Sequence, residues 1–161
     1  MFKELLRTDN SPAQLFIRLA LGIVMFPHGA QKVLGWFGGP GFTKTLQDFA
    51  AMGFPEWSVV ALMVVECLGA VLLVFGFLTR LWAAGIGVSI TICMFLSHVK
   101  NGFFMNWFGQ QQGEGFEYHL LVIGICLALL LKGGGALSVD RKLSSGSKYL
   151  YSPKSSRFLK G

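Results

Sequence analysis

Seven ionisable side chains interrupt otherwise apolar stretches of this 161-residue chain: Arg18, His28, Lys32, Glu66, His98, Glu117 and His119. Their types set the chemistry open to them. Imidazoles and carboxylates exchange protons near neutral pH when their surroundings tune them. Guanidinium and ammonium groups hold anions or steady developing negative charge. Several imidazoles meeting a carboxylate suit zinc, iron or copper. A charge at the centre of a membrane span costs about 2.5–3.5 kcal/mol, so such groups are expected to face protein and to have partners there.

The first three fall on one predicted helix. At about 100° per residue, His28 lies at about 280° and Lys32 at about 320° from Arg18, an arc of roughly 80°. This is one polar stripe, ending in "FPHGAQK" (residues 26–32), where Pro27 removes a backbone hydrogen bond and is expected to bend the helix. Glu66 lies nine residues into its apolar segment, roughly 13 Å deep at about 1.5 Å per residue. A pair with Arg18 or with Lys32 is within reach. Two readings compete: a structural ion pair that fixes helix packing, and a proton-accepting or ligand-binding carboxylate. His28, His98 and His119 all map to one side, with Glu114 and Glu117. They predict a polar, protonatable pocket at the membrane surface, or side chains that simply reach for the interface. His28, His98 and His119 are the candidate metal ligands, but the spacing argues against a metal. They come from three helices, no H-x-x-x-H pair is present, and Glu117 and His119 take opposite faces of a regular helix. Cys67, Cys93 and Cys126 form no CxxC and read as small apolar packing residues.

The elements that must carry these groups are membrane helices. Charged residues make up 14% of the chain against about 25% in ordinary soluble domains, and the mean hydropathy is +0.56. Four apolar segments approach the roughly 20 residues of a span: 14–34, 57–78, 80–100 and 117–132. The first is not a cleavable leader by this reading, because Arg18 interrupts it and no small-x-small site follows. The predicted fold class is all-α, an integral membrane four-helix bundle with a single domain over 1–143. A short helix over 42–52 lies on the outer surface, and a flexible basic tail covers 144–161. With both termini cytoplasmic, the inner side holds Lys3, Arg7, Arg18, Arg80, Lys132, Arg141, Lys142, Lys148, Lys154, Arg157 and Lys160, and the outer side only Lys32, Lys44 and Lys100. Eleven against three supports that orientation and an even number of spans. The net charge of +6 then faces anionic lipid rather than nucleic acid. Trp36, Trp57 and Trp107 near outer span ends, and Trp82 near an inner one, form the expected aromatic belts.

"RLALGIVMFPHGAQKVLG" resembles the opening signature of the DoxX family, and "ECLGAVLLVFGFLTRLWAAGI" its second span. "SHVKNGFF", "GEGFEYHLLVI" and "GGGALSVDRKL" are similar to its third span, fourth span and ending, so the resemblance covers about residues 12–143. The matching residues are Arg18, Gly22, His28, Gly29, Lys32, Glu66, His98 and Glu117, while His119 stands outside the pattern. The resemblance implies a small four-helix protein of the bacterial inner membrane. Some members of the family are subunits of thiosulfate:quinone oxidoreductase, and others are linked to thiol and oxidative-stress handling.

The leading expectation is a quinone-linked redox subunit acting on a sulfur, thiol or other outer-side donor, alone, with a second subunit or as a homo-oligomer. His28, Glu66 and His98 would be catalytic, donating to a quinone oxygen or relaying protons. Arg18, Lys32 and Glu117 would bind substrate. No flavin, haem or iron–sulfur motif is present in the sequence, so electrons would come from a ligand or partner. The alternatives are a non-enzymatic membrane anchor or assembly partner, and a small transporter or proton pathway.

Overall fold

The computed structural model describes residues 2–146, and among them every regular element is helical. The elements are α1 (Phe2–Leu5), α2 (Pro12–Leu34), α3 (Gly41–Ala51), α4 (Glu56–Phe75), α5 (Thr79–Asn101), α6 (Glu117–Lys132) and α7 (Val139–Gly146). The end of the expected tail, residues 147–161, lies outside the described residues.

Local chemistry accounts for the ends of α2. The Ser11 hydroxyl accepts a hydrogen bond from Ala13 N at 3.2 Å, Pro12 occupies the first turn, and Gly35 closes the helix in the left-handed region at φ 70°. The helix is continuous through Pro27. Two of the long helices depart from α geometry. In α4 the turn Val65–Gly69 is a π turn, as is Met94–His98 in α5. Such turns insert one residue into a helix and recur at functional sites.

Among the described residues three helices, α2, α4 and α5, are long and apolar enough to cross a membrane. The fourth expected span, α6, has 16 residues, or about 24 Å of rise, less than the roughly 30 Å of a bilayer core. Helix α2 packs along α4 and touches α6, α5 lies against α6, and α3 folds back onto α2 and α4. Leu21, Met25, Leu73, Ile86, Val122 and Leu129 form the shared core. The outward faces carry Ile23, Leu68, Phe95 and Leu121, all exposed. Exposed apolar side chains on every long helix suit hydrocarbon as the surrounding solvent.

At the end that holds the N-terminus and α7, polar groups tie the helices together. The Arg18 guanidinium, 1% exposed, donates to Val74 O at 3.3 Å, Ala136 O at 3.2 Å and Leu137 O at 3.0 Å. The buried Asp140 carboxylate accepts from Leu78 N at 2.7 Å and Thr79 N at 2.9 Å, satisfying the first turn of α5. Gly76 is forced by the same knot. Its φ is 66°, and a Cβ there would strike the Arg18 guanidinium and Ser138.

Candidate functional site

The other end of the helices is built around one ion pair. Lys32 Nζ on α2 lies 2.6 Å from Glu66 Oε2 on α4, with side-chain exposures of 23% and 7%. A second contact at 3.4 Å links Lys32 Nζ to the His28 carbonyl. Of the two partners expected for Glu66, the structure selects Lys32, and Arg18 is held at the opposite end. Gly29 makes the pair possible. A Cβ at this position would fall on the backbone of Glu66 and Cys67, so only glycine lets α2 approach the π turn that carries Glu66. The end of α2 is steadied in turn by α3, whose buried Thr45 hydroxyl lies 2.7 Å from Gly41 O and 3.2 Å from Lys32 O.

The pair opens on a cavity of about 720 Å³ between α4 and α5, roofed by Phe49, Met52 and Phe54. Its walls are mostly apolar, from Leu62, Val65, Val88 and Ile92. The polar exceptions are few: Lys32, Glu66, Ser58, Ser89, Cys93 and Ser97. Trp82 also lines it and packs on Gly69. Its indole N–H is buried with no hydrogen-bond partner among the described residues. So Trp82, read from sequence as a belt residue, is a wall of the cavity. The buried Tyr118 hydroxyl also lacks a partner among the described residues. A long apolar slot with a few convergent polar groups has the character of a small-molecule site.

A second cluster adjoins this cavity. His98 and His119 stack with ring centroids 4.2 Å apart and planes tilted by 43°, and one ligand atom from each, with Cys93 Sγ, lies within 4.8 Å of the others. His98 Nδ1 is 2.9 Å from the Glu114 carbonyl, and Asn101 donates to the same oxygen at 3.0 Å, so the loop before α6 is drawn over the cluster.

The remaining expected site residues fall elsewhere. His28 is exposed and is no part of a buried stripe. Glu117 Oε1 accepts from Met105 N at 3.0 Å, which binds down the loop. Arg18 spends Nη1 and Nη2 on backbone carbonyls, while its buried Nε has no partner among the described residues. Sequence reasoning missed Cys93, Trp82 and Tyr118. Only the adjacency of Tyr118 to Glu117 and His119 signalled one of them.

Comparison with known proteins bears on this geometry. The DoxX family model matches residues 13–99, the stretch that holds Arg18, Lys32, Glu66, Cys93 and His98. The chain belongs to the DoxX family. It is similar to "Putative oxidoreductase CatD" of Bacillus subtilis (strain 168), with 29% identity over 134 residues, 83% of this chain and 89% of the relative. It is also similar to "Inner membrane protein YqjF" of Escherichia coli (strain K12), with 32% identity over 133 residues, 81% of this chain and 91% of the relative. No solved structure matches the chain. Family membership and the apolar helices together make this a membrane protein.

Proposed function

We propose that this DoxX-family protein is a plasma-membrane oxidoreductase subunit that reduces a quinone in the slot between α4 and α5, using a thiol or other sulfur compound as donor. The observation that carries this reading is the shielded Lys32–Glu66 pair, at 2.6 Å, on the wall of an otherwise apolar cavity that opens between two membrane-length helices. A quinone ring needs apolar walls and a polar group at each carbonyl. Lys32 would donate to one oxygen and stabilise charge on it, and Glu66 would exchange the proton. Two thiols joining as a disulfide release two electrons and two protons, and the quinone takes up both as it becomes quinol. The relative named as an oxidoreductase agrees with this class of reaction. In this proposal α6 returns the chain across the membrane as a fourth, short span, and both termini face the cytoplasm, a placement the distribution of basic residues supports.

A second reading has an observation of its own. The tight contact of Gly29 with the Glu66 turn also suits a purely structural ion pair in a membrane anchor. The two are separated by quinol formation in native membranes supplied with ubiquinone or menaquinone and a dithiol. Under the redox reading, Glu66→Gln and Lys32→Gln lose most of the activity at wild-type protein levels. Under the anchor reading, both variants are depleted from the membrane, and activity per molecule is unchanged.

A further inference from the structure

We infer that Cys93, His98 and His119 form a binding site for a thiophilic d10 cation, Cu(I) or Zn(II), on the edge of the cavity. Thiolate and imidazole ligands together select these ions over the oxygen-seeking ones. Three lines of geometry lead there independently of the proposed redox chemistry.

The first is the backbone of α5. In a regular helix, positions five apart stand about 140° from one another, so Cys93 and His98 would diverge. The π turn Met94–His98, closed by Val99 N–H on Met94 O, widens the helix to an i→i+5 repeat. It thereby brings the thiol and the imidazole to one side, and His119 meets them from the first turn of α6. The three ligand atoms lie within 4.8 Å of one another. Ligands at about 2.0–2.3 Å from a metal need only a side-chain adjustment from that spacing.

The second is the tautomer of His98. Its Nδ1 faces the Glu114 carbonyl at 2.9 Å, and a carbonyl only accepts, so the proton sits on Nδ1. The neutral ring then turns the lone pair of Nε2 outward. Metal-binding histidines are commonly oriented through this kind of second bond.

The third is His119. It is 4% exposed, and its Nδ1 is buried without a hydrogen-bond partner among the described residues. A buried polar atom left unpaired costs about 1–3 kcal/mol, and a metal ion beside two imidazoles and a thiolate would remove that cost. Stacking of two rings alone leaves both the orphaned nitrogen and the π turn unexplained.

The test uses the full chain purified in detergent. Cu(I) is titrated against bicinchoninate, and Zn(II) against a chromophoric chelator, with circular dichroism to verify the fold. The inference predicts one equivalent of one of these ions per chain. Cys93→Ser and His119→Gln should each weaken binding by at least the about 10–100-fold that changes behind the ligands already cause. Cys67→Ser, outside the cluster, should leave binding unchanged. X-ray absorption of the loaded wild type supplies a readout that needs no variant, and one sulfur with two imidazole nitrogens is expected around the ion. Failure of the folded wild type to bind either ion overturns the inference, as does a shell of oxygen neighbours or equal loss in Cys67→Ser. A quinone reductase without this metal, or a metal site without that activity, distinguishes this inference from the proposed function.

Discussion

The two ends of the helical array use polar residues in opposite ways. At the end holding the N-terminus and α7, the buried charges are consumed by backbone. Arg18 binds three carbonyls and Asp140 two N–H groups. At the far end, a charge meets a charge beside open space. Lys32 faces Glu66 at the edge of a cavity. Polar atoms without partners among the described residues occur at both ends, at Gln14, Arg18 Nε, Thr79 and Arg80 Nε in the first and at Tyr118 and His119 in the second. Backbone acceptors are fixed by the fold, so a side chain spent on them serves packing. A side chain paired with another side chain, beside open space, can exchange that partner for a ligand. The contrast teaches that a charge within a membrane helix signals function only once its partner is known.

The contrast can be broken most severely at the end whose charges bind backbone. Asp140→Ala orphans the N–H groups of Leu78 and Thr79 at about 1–3 kcal/mol each. It should lower the unfolding temperature in detergent more than any change at the far end, and a variant as stable as wild type contradicts the structural role given to the knot. Gly29→Ala comes next. The added Cβ meets the Glu66 and Cys67 backbone, overpacking that costs about 1–3 kcal/mol and parts Lys32 from Glu66. Its loss of quinone reduction should exceed its loss of folded protein, and matched losses speak for the anchor reading.

Smaller effects sharpen the comparison. Glu117→Ala removes one bond to Met105 N. It should cost about 1 kcal/mol and loosen the loop before α6, seen as faster amide exchange there; unchanged exchange contradicts its role as a tie. His28→Ala replaces an exposed ring and should shift stability by less than about 0.5 kcal/mol, as thermal unfolding would report. A large destabilisation shows that the ring is packed after all.

These rankings depart from what the sequence alone supports, for identifiable reasons. Hydropathy locates the helices because burial in lipid demands long apolar runs, and the depth of Glu66 narrows its partners to two. The choice between them was not legible. The acceptors of Arg18 are carbonyls of Val74, Ala136 and Leu137, and a carbonyl carries no residue signature. The helical wheel sets the azimuth of His28 but not what stands opposite it, and the residue is exposed. The Cys93–His98 pairing was hidden because a wheel assumes about 100° per residue, whereas the turn joining them is π. Composition marks an apolar run at 117–132 but not how far it reaches across a bilayer: α6, Glu117–Lys132, rises about 24 Å.

The central claim is that the α4–α5 cavity holds a quinone against Lys32 and Glu66, and photolabelling tests it most directly. The intact protein in native membranes is irradiated with an azido-quinone, digested and mapped by mass spectrometry. The account predicts label on peptides containing Val65, Val88 or Ile92, competed away by unlabelled quinone and weakened in Glu66→Gln. Label confined to the outward faces of α2 and α6, indifferent to competitor, contradicts it.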